Sequence, residues 1–206
     1  MSHEGAVGEP PPPLVVPVAR TLTGPRVTLR RFEEGDVTEL GDAIATSADH
    51  LRPFMAWIGA EPLSATSRAE LIAAWNREAD AGGGATLGCF VDGALIGSTG
   101  LHRRRPDAAA LEVGYWLRTT ALGQGYATEL TLLLAEEAFS HDEISKVDLY
   151  CDLRNEPSAQ VAIRAGFTLL EVAPDPRGLI AEASSGSERH FRLERAAFDP
   201  AWRGRF

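Results

Sequence analysis

The stretch Leu122-Gly123-Gln124-Gly125-Tyr126-Ala127-Thr128-Glu129 sets two glycines one residue apart just before a run with helical spacing. A helix amino end carries unpaired backbone N–H groups and the positive pole of the helix dipole, so it can hold a diphosphate without any cationic side chain. Glycine lets the backbone approach such an anion and take positive φ. On these residues alone, a pyrophosphate cradle and an ordinary strand-to-helix connection are both open. A dinucleotide-binding unit is a third reading, because a strand precedes the glycines and Asp148 lies on the next strand, where a ribose-binding acid is expected. Two details oppose it. Five residues, Arg118 to Leu122, stand where a tight turn is needed and Thr128 occupies the third glycine position, and more than 100 residues precede the unit.

The elements that must position this turn follow from periodicity. "RVTLRRF", from Arg26, alternates like a half-buried strand. A helix is expected from Asp36 as N-cap through Val37, Leu40 and Ile44, a second helical patch over "LRPFMAWI" (51–58), and a third over "SRAELIAAWNREADAG", with Ser67 as cap and Glu70 at capping-box spacing. "TLGCFVDGALIGSTGL" reads as a hairpin turning at Asp92-Gly93, since both central residues of a type I′ turn need positive φ. "ALEVGYWL" (110–117) reads as a central strand, and the glycine turn then opens a helix with Tyr126, Leu130, Leu133 and Leu134 on one face. "KVDLYCD" (146–152) is a strand, "NEPSAQVAIRAG" a short helix, and "FTLLEV" and "ERHFRL" are two further strands around a Pro-, Gly- and Ser-rich loop (173–187). The order predicts a mixed sheet of α/β or α+β type, with parallel pairing where helices connect the strands.

Composition bounds the chemistry. The chain has 206 residues, 44% of them hydrophobic, enough for one domain with a substantial core. The net charge of −9 argues against nucleic acid and suits a cationic or amine-bearing partner. Lys146 is the single lysine and follows no glycine loop, which excludes a Walker-type phosphate site. Cys89 and Cys151 lack CxxC spacing and read as buried thiols in a reducing compartment. No histidine spacing suits a metal and no GxSxG elbow appears. No apolar run reaches the roughly 20 residues of a membrane span, and the amino terminus lacks signal-peptide character, so a cytoplasmic location is expected. Residues 1–20, with Pro10 to Pro13 consecutive, read as an extended or disordered lead-in outside the core. The domain is placed at 21–200 and a tail at 201–206.

"EVGYWLRTTALGQGYATE" followed by "NEPSAQVAIRAGF" resembles the acetyl-CoA-binding core of the GNAT N-acetyltransferases, most closely the branch of ribosomal-protein alanine and serine N-terminal acetyltransferases. The resemblance runs from "RVTLRRFEEGD" to Phe167. It implies a single domain around a splayed mixed sheet of about seven strands flanked by helices, with acetyl-CoA as cosubstrate and no metal. The pantetheine arm would lie between "EVGYWL" and "KVDLYC", pairing with main-chain groups of Trp116 and Leu117. Asn155 would bond the arm from the other side, and the turn from Gly123 through Gln124, Gly125, Tyr126 and Ala127 to Thr128 would take the pyrophosphate. The family's Arg or Gln at the start of the turn is Leu122 here, so the grip would rest more fully on backbone amides and CoA binding would be somewhat weaker. Ser158 matches the family's Asn-x-x-Ser position and is the candidate proton donor to the CoA sulfur; a first-turn serine satisfying the backbone is the alternative, and Tyr150 is a substitute donor.

Acyl transfer to an amine needs a neutral nucleophile, an oxyanion partner and a proton for the thiolate. Glu112 is the candidate base, on a strand between apolar Leu111 and Val113; the bland reading is a carboxylate paired with Arg118 or an arginine of the 103–105 run. His102, beside Arg103-Arg104-Arg105, lines an acceptor site, contacts a phosphate of CoA, or merely sits in a solvated loop after a hairpin strand. Phe54, Met55 and Trp57 wall that site or simply pack a core. The expected activity is direct acetyl transfer from acetyl-CoA to a primary amine in a ternary complex. The acceptor is a protein N-terminal α-amine or, alternatively, a small-molecule amine; a non-catalytic acyl-CoA-binding module is the rival from another class. Neither nucleic acid nor membrane is an expected partner, whereas a homodimer is, by the habit of relatives.

Overall fold

In the computed structural model the described residues are 16–103, 107–181 and 183–206. The proline run and Arg104 and Arg105 therefore lie outside them. Eight strands form one sheet: β1 (Thr21–Thr23), β2 (Thr28–Arg31), β3 (Gly84–Val91), β4 (Ala94–His102), β5 (Ala110–Leu117), β6 (Lys146–Asp152), β7 (Thr168–Pro174) and β8 (Ser187–Glu194), in the order β1-β2-β3-β4-β5-β6-β8-β7. All neighbours are antiparallel except β5 and β6, which are parallel. The mixed sheet and the helix-linked parallel pair agree with the sequence reading. The extra strand is β1, three residues between breakers and too short to show a period.

The β3–β4 turn has φ of 49° at Asp92 and 81° at Gly93, as an Asp-Gly hairpin requires. At Gly97 a Cβ would fall 2.2 Å from the Trp116 carbonyl oxygen, so glycine is what lets β4 lie this close to β5.

Five helices flank the sheet: α1 (Val37–Ala45), α2 (Ala48–Leu51), α3 (Ala65–Asp80), α4 (Tyr126–Phe139) and α5 (Glu156–Arg164). Three helix starts differ in some respect from expectation. Asp36 stands at the N-cap position of α1 as expected but makes no side-chain cap bond: its carboxylate accepts from Glu33 N and from both Arg30 terminal nitrogens, and its backbone is already helical in a 3-10 turn. Ser64, not Ser67, caps α3, accepting from Ser67 N at 3.0 Å. The patch 51–58 is not one helix; α2 stops at Leu51 and a 3-10 turn runs over Ala56–Ala60, because Pro53 has no N–H to continue the helical ladder.

The main core lies between the sheet and α4 with α5. Helix α4 is buried around nearly its whole circumference, not on one face, since the segment before β1 and the chain's last turn also cover it. Val16 and Val18 join this core and Ala19 N donates to Glu137 Oε1, so the described end of the lead-in, expected to lie outside the core, contributes to it. Trp202 is fully buried in the same cluster and anchors the 201–206 segment to the core. Beyond β8, Arg195 donates to the carbonyl oxygens of Phe139, His141 and Ile144 at the carboxyl end of α4. A second cluster, including Phe32, Leu40, Ile44, Phe90 and Leu95, packs α1–α3 on the other face. No helix among the described residues is long and apolar enough to cross a membrane.

Candidate active site

Strands β5 and β6 pair over three positions, Ala110↔Lys146, Leu111↔Val147 and Glu112↔Asp148, and then part. Past Glu112, β5 is paired to β4 on one side and has no strand partner on the other among the described residues. The opening leads into a cleft of ≈ 860 Å³. Strand alternation gives the cleft two chemistries, since successive side chains face opposite sides of a sheet.

On the α4/α5 side, the Tyr115 hydroxyl lies 3.1 Å from Ser158 Oγ. Burial pushes the Tyr115 phenol up to about 12, against the lowering effect of that hydrogen bond, so it stays protonated at neutral pH. Cys151, on the same side, is pushed up to about 11 by burial. A thiol so raised is a poor nucleophile at neutral pH.

On the α1–α3 side stand His102, Glu112, Trp116 and Tyr150, all on the cleft wall. The register sets His102 opposite Glu112, Glu112 beside Asp148, and Asp148 opposite Arg192, which makes a polar row across four strands. Arg192 donates to both Asp148 carboxylate oxygens at 2.7 Å. Tyr150 stacks on His190 with centroids 4.4 Å apart, and His190 Nε2 lies 3.0 Å from Asp148 Oδ1. From the β7–β8 loop, Arg177 enters the cleft wall. Its pKa is raised chiefly by hydrogen bonding to Asp175, with the Glu112 charge as a smaller contribution, which places Glu112 within its field. Trp57 and Trp116, 5.9 Å apart, and Phe54, Met55 and Trp75 close the far wall, crossed by the ion pair of Arg68 with Glu61 at 2.7 Å.

The cleft brings together Glu112, Trp116, Tyr150, Asn155 and Ser158. His102, Phe54, Met55 and Trp57 join them, so the solvated-loop reading of His102 falls away. Asn155 also caps α5, its Oδ1 accepting from Ser158 N at 3.3 Å. Leu117 pairs with Gly97, its side chain in the core.

The glycine turn stands apart from this cavity, at the exposed amino end of α4. Gly123 and Gly125 have φ of 73° and 83°, and Gly125 is a left-handed N-cap with no side-chain cap bond. The amides of Gly125, Tyr126, Ala127 and Thr128 have no intrahelical acceptor, and no other hydrogen bond among the described residues uses them. Leu122 is exposed, as are Gly123 and Gln124. Beneath the turn, the fully buried carboxylate of Glu129 accepts from Arg26 N, Arg26 Nε and Val27 N. The guanidinium also donates to Gln124 O at 3.0 Å. The first-turn acid is thus neutralised, and the helix entrance remains suited to an anion.

Sequence reasoning missed Tyr115, Trp75, Arg68 and Arg177. Alternation along β5 was a signal for Tyr115, which must face α5 if Glu112 faces the other way. Arg177 arrives by a loop that carries no period. Among the described residues, no cluster of three or more His, Cys, Asp or Glu is arranged to hold a metal.

A profile of the acetyltransferase (GNAT) domain family matches residues 26–168. The ribosomal-protein-serine acetyltransferase of Escherichia coli (strain K12) is 32% identical over 80 residues, 39% of this chain and 45% of that protein; the chain thus spans under half the length of this curated relative. RimL, a ribosomal L7/L12 alpha-N-protein acetyltransferase solved in complex with coenzyme A, superposes with a TM-score of 0.74 at 19% identity, covering 89% of this chain and 99% of that one. Mycobacterium smegmatis RimJ in complex with CoA-disulfide gives 0.76 at 18% identity, covering 91% of each chain. At such identities the likeness is one of fold.

Proposed function

From the premise that this chain belongs to the acetyltransferase (GNAT) family, we propose that it transfers an acetyl group from acetyl-CoA directly to a primary amine, the α-amine of a protein N-terminus. The observation that carries the reading is the parting of β5 from β6 with a carboxylate on one face of the opening and a half-buried hydroxyl pair on the other.

The free edge of β5 near Trp116 and Leu117 would pair with the amides of the pantetheine arm, Asn155 would meet it from α5, and the uncapped turn 122–128 would receive the diphosphate. As the amine attacks the thioester carbonyl, its proton passes to Glu112. An α-amine has an ordinary pKa of about 7.7–8.0, so modest help suffices. Backbone N–H groups of that edge suit the developing oxyanion. On collapse, the thiolate takes the Ser158 proton. Tyr115, kept protonated by burial, donates into the Ser158 oxygen as that proton departs. Tyr150 lies on the opposite face, stacked on His190, which favours Ser158 as the donor. The raised Cys151 thiol supports direct attack over a covalent acyl-enzyme.

The acceptor assignment draws on the relative named for ribosomal-protein serine and on a cleft far larger than an amine alone needs. Thiol release from acetyl-CoA, measured with peptides bearing N-terminal Ser or Ala and with small amines, tests it. Turnover on peptides is expected. Preference for small amines would move the acceptor class, and CoA binding without turnover on any acceptor would make this a binding module.

A further inference from the structure

Among the described residues, His102 is the one histidine on the wall of the cleft. Two glycines make room for its ring. A Cβ on Gly100 would fall 2.6 Å from His102 Nε2, and one on Gly84 would fall 3.1 Å from His102 Nδ1. The imidazole thus lies over two glycines of β3 and β4: a side chain at Gly100 would meet the Ala85 carbonyl oxygen at 2.2 Å as well as the ring, and one at Gly84 would crowd it. The antiparallel register then sets Glu112 directly across on the same face. On the other side, Glu78 Oε1 of α3 approaches the same point above Gly84, at 3.4 Å. The groups facing the ring among the described residues are Glu112 from β5, Glu78 from α3 and Thr86 from β3, with Arg177 reaching Glu112 from the β7–β8 loop.

We propose that His102 is the proton-relay partner of Glu112: the proton that leaves the acceptor amine passes to the Glu112 carboxylate, then to a ring nitrogen of neutral His102, and from the imidazolium to solvent. Each cycle returns both groups to their starting states. The inference rests on the reading of Glu112 as base. It assigns His102 a positioning and relay role, because the ring acts through Glu112 and not on the substrate. The physical reason is one of matching. A carboxylate ordinarily titrates near 4.3 and an imidazole near 6.5, so the imidazole is the better store for a proton leaving an amine at neutral pH.

In His102→Gln, kcat/KM near neutral pH is expected to fall about 100-fold, at the low end of general acid–base contributions. Acetyl-CoA affinity should stay within twofold of wild type. Neutral imidazole is the working form, so wild-type activity rises with pH through the imidazole range, and that limb disappears in the variant. In His102→Ala the space above Gly84 and Gly100 is left open to a free imidazole, and added imidazole should restore rate several-fold. A readout independent of the acceptor is the NMR titration of His102 with CoA bound. Its pKa should fall in Glu112→Gln, which removes the facing negative charge. A wild-type pH profile in His102→Gln, or a His102 titration unmoved by Glu112→Gln, overturns the relay. If Glu112→Gln still costs turnover in that case, Glu112 stands as base without His102. If Glu112→Gln leaves rate and pH profile intact, both readings fall together.

Discussion

Helices α4 and α5 follow the two strands that part, and they begin in opposite ways. Helix α5 closes its own entrance: Asn155 Oδ1 accepts from Ser158 N, and Pro157 removes another donor. Helix α4 begins with left-handed Gly125, carries no side-chain cap, and leaves four amides without an internal acceptor. Capping residues contribute about 1 kcal/mol to a helix, so an uncapped start on a long, buried helix has a cost that a ligand can offset. A satisfied entrance fixes side chains, here Ser158 against Tyr115, whereas an open one keeps backbone donors in reserve.

The contrast is broken most directly by Gly125→Val. Its φ of 83° is strained for any side chain, and a Cβ would approach Arg26 Nη2 at 3.3 Å. The dissociation constant for acetyl-CoA is expected to rise about 100-fold, equivalent to about 2.7 kcal/mol by calorimetry. Undiminished affinity would mean that the open entrance of α4 is not where the diphosphate goes. Tyr115→Phe deletes the hydroxyl behind Ser158 and should lower kcat about tenfold, below the roughly 10²–10⁴-fold of a direct general acid because it acts through Ser158, while leaving CoA affinity nearly unchanged. Loss of affinity in place of kcat would make the pair a binding feature. Asn155→Ala should cost about 1 kcal/mol of stability by chemical denaturation. Its effect on CoA affinity should stay well below that of Gly125→Val; equal effects would erase the distinction between the two entrances.

The smallest expected effect concerns alkaline stability near each helix. Burial raises Cys89, close to Glu129 of α4, to about 12, and raises Cys151 and Tyr115, beside α5, to about 11 and about 12. The unfolded thiols ionise above roughly 8.5 and the unfolded phenol above about 10, while the folded groups keep their protons. The native state therefore binds more protons than the unfolded state there, and stability present below pH 8.5 is lost as pH rises toward 12. Denaturation midpoints across that range should show the decline, and Cys89→Ala should flatten it.

Much of this fold is legible in the sequence because its strands are long enough to show a period and its hairpin is spelled Asp92-Gly93. Elements that lack such a signal escape: β1 has three residues, and Val16 and Val18 follow a proline run whose composition points away from a core. The patch 51–58 is misread because apolar content outweighs Pro53. The cleft residues nearest to their neighbours in sequence, Glu112 and Ser158, are found from spacing and from the family pattern. Tyr115, Arg177 and the packing around His102 depend on which face a strand presents and on contacts between distant segments, which no local pattern encodes.

Arg195 gives the molecule's overall acidity a further meaning. A net charge of −9 disfavours a polyanionic coenzyme at a distance, yet the helix whose entrance we propose for its diphosphate is met at the far end by a guanidinium on the carbonyls of Phe139, His141 and Ile144. The negative pole of α4 is thereby offset, and at its mouth the unpartnered amides, with the Arg26 guanidinium on Gln124 O, leave a short-range attraction for an anion within an acidic chain. Added salt should then hasten the coenzyme's arrival by screening the exterior while loosening its hold, the reverse of the association kinetics of a basic nucleotide-binding surface.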